Sequence, residues 1–208
     1  MRAIVPFKLS NPKSRLSTVL SLEERRGLAK AMLLDVLEVV NEFFDETIVL
    51  VPPNTDLDVD CRVEEDERDL NSAINDRLER NTAVVMSDLP LLSYGVMRRF
   101  LETEGDIVIA PGRKGGTNML LVRVNGFRVS YHYGSFLKHV RIAEEMGLRV
   151  GIFDSFYASV DVDEEEDLLE LMLHGRGKRS WSYLRSLGFD VDLSEEQPKL
   201  VRVSRPLS

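Results

Sequence analysis

The feature that most constrains this chain is a succession of short, unbroken apolar runs, each followed by a loop and then by residues at helical spacing. Ala3-Ile4-Val5, Thr47 to Val51, Ala83 to Met86 and Asp106 to Ala110 are such runs. A strand with one wet face alternates apolar and polar residues. A continuous run needs cover on both faces, which parallel strands between two layers of helices provide. Pro6 and Pro52-Pro53 end the first two runs, because proline cannot donate to a ladder. Ser21 with Glu24 three residues later has capping-box spacing, and Leu28, Met32, Leu33, Val36, Leu37 and Val40 recur on one helical face up to about Asn41. Further helices are expected over Asp69 to Arg80 and about Leu91 to Glu102. The expected fold is α/β: a Rossmann-like, mostly parallel mixed sheet with helices on both faces.

The second half is less regular. Pro111 to Thr117 is a glycine-rich loop, and Met119 to Val124 and Phe127 to Tyr131 read as antiparallel strands. Ser135 to Met146 is a helix closed by Gly147, Arg149 to Phe153 and Ala158 to Val162 read as strands, and Asp163 to Leu173 as a helix. A composition shift at His174-Gly-Arg-Gly-Lys divides the chain into a main domain, 1–173, and a C-terminal helical extension, 174–208. In the extension Trp181, Tyr183, Leu184 and Leu187 form an apolar stripe, suited either to packing on their own domain or to a dimer contact. Val201 and Val203 are expected to add an edge strand to a partner, so the expectation is a homodimer.

Charge narrows the function. A net charge of −8 argues against a nucleic-acid partner, which would need a positive field. No apolar run approaches the roughly 20 residues of a membrane span, so no membrane role is expected. Pro6 and Lys8 stand where a secretory signal would need its apolar centre, and the single cysteine, Cys61, has no partner within the chain. These features point to the cytoplasm. The charge is also uneven. The first fifteen residues carry Arg2, Lys8, Lys13 and Arg15 and no acid, whereas 56–69 and 161–167 are strongly acidic. A basic loop facing acidic clusters suits a small anionic ligand and a divalent metal.

Four constellations carry this chemistry. The loop after the first strand, Lys8-Leu-Ser-Asn-Pro-Lys13-Ser14-Arg15-Leu-Ser17, suits a polyphosphate at the carboxyl edge of a parallel sheet; the alternative is a solvated basic loop. Asp88, just past a buried strand and before Leu89-Pro90, is placed either to bind magnesium with phosphate oxygens or to cap a helix. In Asp161-Val-Asp163-Glu164-Glu165-Glu166-Asp167, alternation puts Asp161 and Asp163 on one face, where a cation would relieve their repulsion. Most of 164–167 suits a helix N-terminus. Gly115-Gly116-Thr117-Asn118 and Gly134-Ser135-Phe136 permit close backbone approach, Ser135 opening a helix. His132, His139 and His174 are too scattered for a zinc site.

Taken in order, these segments (P-x-K-x4-K-S-R-L-S, D-L-P after a strand, G-G-T-N, G-S-F-x-x-H, D-x-D-x-x-x-D-L) resemble the archaeal 2-phospho-L-lactate guanylyltransferase family of deazaflavin coenzyme 420 biosynthesis, over about residues 1–170. The resemblance implies the nucleotide-diphospho-sugar transferase fold and makes 1–173 the nucleotidyltransferase domain. It implies GTP and 2-phospho-L-lactate as partners, Mg2+ as cofactor, and transfer of GMP with release of pyrophosphate.

Carried over residue by residue, the resemblance assigns Lys8, Lys13, Ser14 and Arg15 to the GTP phosphates, with Lys13, Arg15 and Asp88 in the catalytic role. Asp88 matches the metal-binding aspartate, and Asp163 with Glu165 the second acidic group. Thr117 and Ser135 match positions that contact the acid substrate, supported by Gly116 and Gly134. Four positions depart from the pattern: Ser87 and His132 replace glycines, and Glu164-Glu165 replaces threonine-proline. The basic loop and the acid pair do not separate this reaction from that of a related nucleotidyltransferase acting on phosphoenolpyruvate or a sugar phosphate, and a non-catalytic nucleotide-binding protein is the alternative of another class.

Overall fold

Seven strands form the central sheet of the computed structural model, which describes residues 1–194 and 196–203. They are β1 (Arg2–Pro6), β2 (Glu46–Val51), β3 (Arg62–Glu65), β4 (Thr82–Val85), β5 (Ile107–Pro111), β6 (Thr117–Val122) and β7 (Val150–Ile152), in the order β3-β2-β1-β4-β6-β5-β7. β6 alone runs antiparallel to its neighbours β4 and β5; the other pairings are parallel. The helices are α1 (Leu22–Val40), α2 (Leu70–Asn75), α3 (Tyr94–Glu102), α4 (Ser135–Glu145), α5 (Phe156–Ser159), α6 (Glu165–His174) and α7 (Arg179–Ser186).

Strand parity explains the unbroken apolar runs. Ala3, Val5, Val49, Val51, Val85, Val108 and Leu121 face α1 and α3, through Leu33, Val36, Met97 and Phe100. Their neighbours Ile4, Leu50, Val84, Ile109 and Leu120 face the other way, onto Ala73 and Ile74 of α2 and Ala143 of α4. Both faces are covered, as expected for a mostly parallel sheet. Ser21 caps α1 with the full capping box: Glu24 N–H donates to its hydroxyl and Ser21 N–H to the Glu24 carboxylate.

The extension belongs to a third apolar cluster. Leu184 of α7 and Phe189 are buried with Leu16, Leu28, Met32, Leu91, Leu168 and Leu171, and Trp181, Tyr183 and Leu187 pack around them. Asp35 of α1 closes the N-terminus of α7 from outside, accepting Arg179 N–H at 2.7 Å, Ser180 N–H at 3.0 Å and Ser180 Oγ–H at 2.5 Å.

Five expectations need correction. The helix foreseen over 69–80 stops at Asn75, and the chain turns through Asn81 at φ 62° into β4. The helix expected from about Leu91 starts at Tyr94, where the Ser93 hydroxyl accepts Val96 N–H. Phe127 to Tyr131 is not a strand. Both edges of β6 are already paired, so this segment finds side-chain partners: Val129 N–H donates to Asn75 Oδ1, Tyr131 N–H to Asn71 Oδ1 and Ser130 N–H to His139 Nε2. Ala158 to Val162 is not a sheet strand either. After α5 it crosses the carboxyl edge of the sheet, where Val162 N–H donates to the Asp88 carbonyl. Val201 pairs within its own chain: β9 (Lys199–Arg202) forms a hairpin with β8 (Phe189–Asp192), placing Val201 opposite Asp190. β3, unforeseen, is an edge strand blunted by charge, with Arg62 bonded to Glu46 and Arg77 to Glu64.

Candidate active site

The carboxyl ends of β1 and β4, where the sheet opens, hold the charged groups. The loop after β1 is pinned from below by buried Arg25 of α1, which donates to Asn11 Oδ1 and the Pro12 carbonyl. Asn11 and Lys13 both sit at positive φ, 47° and 51°. A long side chain held there costs on the order of 1 kcal/mol, and such strain gathers at functional sites. The result is a side chain that turns inward: Lys13 Nζ lies 2.5 Å from Asp88 Oδ2 and 2.8 Å from Asp163 Oδ1. Burial disfavours the ammonium, but Asp88 and Asp163 outweigh it and raise its pKa above the ordinary lysine range. Burial likewise opposes ionisation of Asp163, yet Lys13, then Arg15, hold its pKa below the usual carboxylate range.

Asp161 is the third carboxylate here. Val160 and Val162 are buried while Asp161 and Asp163 face the site, so the alternation of this segment survives without a sheet. Burial and then the neighbouring Asp88 raise the Asp161 pKa. Asn118 holds it, donating through Nδ2 to Asp161 Oδ1 at 3.3 Å and to the Ala158 carbonyl at 3.0 Å. Among the described residues no three acids, histidines or cysteines stand ready to hold a metal ion. The ammonium of Lys13 instead lies between two of the carboxylates.

The β5–β6 hairpin closes one side. Arg113 bonds the Asp167 carboxylate, and Lys114 Nζ lies 2.6 Å from Glu164 Oε2. Asp167 also accepts the N–H groups of Asp163 and Glu164, so it caps α6 and anchors the hairpin together. Pairing of Val85 with Met119 places Thr117 and Asn118 beside Met86 and Ser87, at the same sheet edge as Asp88. Ser135 opens α4 there, and its Oγ lies 3.2 Å from Thr117 Oγ1. Gly134 caps the helix at φ 68° without a side-chain bond, leaving the first-turn N–H groups open to a ligand.

A cleft of about 720 Å³ runs from Lys13, Asp88 and Asp163 along Lys8, Ser10 and Asn11, and on to Leu50, Pro52 and Asp66 to Leu70. Of the residues singled out from sequence, the fold brings Lys13, Asp88 and Asp163 into contact, and Thr117 with Ser135. Lys8 and Ser14 are exposed, and Arg15 reaches Glu164 at 3.5 Å and Asp163 at 3.8 Å. Gly116 ends the turn before β6, within 3.0 Å of Gly112 through its carbonyl. Glu165 is exposed in the first turn of α6 and makes no ion pair with Lys13 or Arg15 among the described residues. Asn118, Arg113, Lys114 and Asp167 were missed as site residues, although Asn118 stood in the G-G-T-N motif.

A basic loop after β1 and carboxylates at the carboxyl edge of this mostly parallel sheet make an α/β site suited to an anionic ligand. A solved structure provisionally assigned to the nucleotide-diphospho-sugar transferases, from Desulfovibrio desulfuricans, superposes with a TM-score of 0.70 at 18% identity, covering 89% of this chain and 94% of that one. A 2-C-methyl-D-erythritol 4-phosphate cytidylyltransferase from Thermus thermophilus gives a TM-score of 0.52 at 13% identity, over 84% of this chain and 98% of that one. These likenesses speak for the fold. The chain belongs to the family described as Guanylyl transferase CofC like, which it matches over residues 1–206. Relatives named 2-phospho-L-lactate guanylyltransferase include those of Ferroglobus placidus, 58% identical over 97% of this chain and all of the relative, and Archaeoglobus fulgidus, 58% identical over 97% of each.

Proposed function

We propose that the protein transfers GMP from GTP to 2-phospho-L-lactate, giving lactyl diphosphoguanosine and pyrophosphate, in deazaflavin coenzyme 420 biosynthesis. The observation that carries this is the junction of Lys13, Asp88 and Asp163 at one end of a nucleotide-sized cleft, in a chain 58% identical to relatives bearing that name. A phosphate oxygen of the acceptor attacks the α-phosphorus. The new P–O bond forms as the bond to the leaving pyrophosphate breaks, and no protein nucleophile takes part. Two anions must be brought together, so the chain acts by positioning and charge neutralisation. Lys13 and Arg15, with Lys8 at the rim, face the nucleotide phosphates. Thr117, Ser135 and the open first turn of α4, backed by Gly116 and Gly134, face the acid.

The donor set fits magnesium: Asp88 and Asp163 present hard carboxylate oxygens beside Asp161, an excess of negative charge that Lys13 alone balances only in part. Asp88 and Asp163 would hold the ion, with Glu165 in the first turn of α6 as the further acid. When bound, magnesium neutralises phosphate oxygens. The single cysteine, free and half-buried, supports a reducing, cytoplasmic setting. We also infer a homodimer. The α7 stripe packs on its own chain, and a monomer in sedimentation at micromolar concentration overturns the homodimer.

The test is pyrophosphate release from GTP with magnesium, with 2-phospho-L-lactate, phosphoenolpyruvate and mannose 1-phosphate as acceptors, beside Asp88→Ala. Turnover with phospholactate, lost in the variant, is expected. Turnover with another acceptor alone, or tight GTP binding without turnover, refutes the proposal.

A further inference from the structure

His139 of α4 has no exposed surface, and the reaction proposed above leaves it without a task. Its surroundings determine its proton. The backbone N–H of Ser130 donates to Nε2 at 2.9 Å. A ring nitrogen that accepts carries no hydrogen, so the neutral imidazole carries its proton on Nδ1. Nδ1 lies 3.0 Å from Thr117 Oγ1, and this contact therefore runs from histidine to threonine. Thr117 and Ser135 together own two hydroxyl hydrogens, and their 3.2 Å contact uses one. The other has no acceptor within the cluster, although both residues are at least nine-tenths buried. The opposite tautomer would give another outcome. Thr117 would donate to Nδ1 and Ser135 to Thr117, and no hydrogen would remain.

We propose that His139 is a positioning residue for the acceptor substrate: its Nδ1–H donor forces the Thr117–Ser135 pair to present one hydroxyl hydrogen, beside the open first turn of α4, to an anionic oxygen of the acid. This rests on the reading that the acid acceptor occupies this edge of the sheet. Burial, then Lys138, lowers the His139 pKa to about 4, so the ring stays neutral around pH 7. Tyr131 packs edge-on against the ring at 4.9 Å between centroids, with Phe127 at 6.2 Å, which restrains it from flipping. His139, the last member of G-S-F-x-x-H, thus acts through Thr117 and Ser135 without touching substrate.

Two substitutions separate the ring's two bonds. In His139→Asn the amide nitrogen takes the place of Nδ1, keeping the donor to Thr117 and losing the acceptor for Ser130. In His139→Gln the amide oxygen takes the place of Nε2, keeping the acceptor and losing the donor. The expected result is a KM for the acid acceptor raised about tenfold in His139→Gln, because without the Nδ1–H donor neither hydroxyl is held in the direction of the acid, with the KM for GTP within about twofold. His139→Asn should stay within about threefold of wild type for both, even if it melts lower. Equal acceptor KM in the two variants, or no change in a folded His139→Gln, overturns the proposal while the assigned reaction stands. Nitrogen-15 spectra of the wild-type imidazole should show the Nδ1–H tautomer, and the Nε2–H tautomer also overturns it. If the wild type turns over no acid acceptor, the functional reading has failed, and the positioning role falls with it.

Discussion

Replacing Lys13 by methionine removes the ammonium and keeps most of the stem. The lysine side chain is 11% exposed, Asp88 24% and Asp163 42%. Breaking a fully buried pair costs about 3–5 kcal/mol, whereas an exposed one is worth about 0–1. Asp163 is more than a third exposed, so its share is screened, and the expected loss at pH 7 is about 2 kcal/mol. The pH dependence has a definite sign. The pKa of Asp163 is lowered in the fold, so its contribution is present above the ordinary carboxylate range and lost as pH falls through that lowered pKa. The pKa of Lys13 is raised, so its contribution is complete below the ordinary lysine value and lost only as pH rises beyond it. The loss should therefore be constant between about pH 5 and pH 10 and shrink progressively as pH falls below the ordinary carboxylate range. Urea unfolding followed by fluorescence of the single tryptophan, Trp181 in α7, measures it at both ends. Pyrophosphate release should fall at least about a hundredfold, because a preorganised positive charge is missing from the phosphates. Unchanged stability at pH 7, or a loss of equal size at about pH 3, would refute the electrostatic account.

Asp161→Asn should raise the thermal midpoint at pH 7, because a carboxyl whose pKa is raised by burial and by Asp88 penalises the fold above that pKa. The gain should vanish in acid and pyrophosphate release should fall; a lower midpoint at pH 7 contradicts the repulsion argument. Asp35→Ala orphans three donors at the start of α7 and should cost about 3 kcal/mol in urea unfolding, with activity per folded molecule retained; a cost under about 1 kcal/mol would mean that water replaces the carboxylate. Gly151→Ala puts a Cβ 2.0 Å from the Glu104 carbonyl oxygen, which backbone cannot easily yield, and should cost about 2–3 kcal/mol. A calorimetric midpoint equal to wild type would show that β7 moves away freely.

Much of the site was legible because its residues sit at strand ends, and strand ends are marked by apolar runs. Asp88 follows Val84-Val85-Met86, and the basic loop follows Ala3-Ile4-Val5, so the sequence alone places both at the carboxyl edge. Their partners were harder to read. Asp161 shows the same alternation as Asp163, but only the path of 160–163 over the Asp88 carbonyl makes it the neighbour of Asp88, while Glu165 is exposed in the first turn of α6. The segment Phe127 to Tyr131 looks like a strand by composition. Whether a strand forms depends on a free edge, and β6 had none.

By itself the sequence determined the local and periodic features: the α/β alternation, the capped α1, the two-sided burial of the strands and the basic loop between acidic segments. These depend on residues within one or two turns of each other. Tertiary structure decided what depends on distant groups meeting. Lys13 lies 75 residues from Asp88 and 150 from Asp163, and Asp35 lies 145 from the Ser180 it caps. The proton on His139 is set by a backbone N–H nine residues away, in a segment that has no sheet edge to join. Side-chain polarity is written in the residue, but its partner, its charge state and the direction of its hydrogen bond come from whatever the fold packs against it.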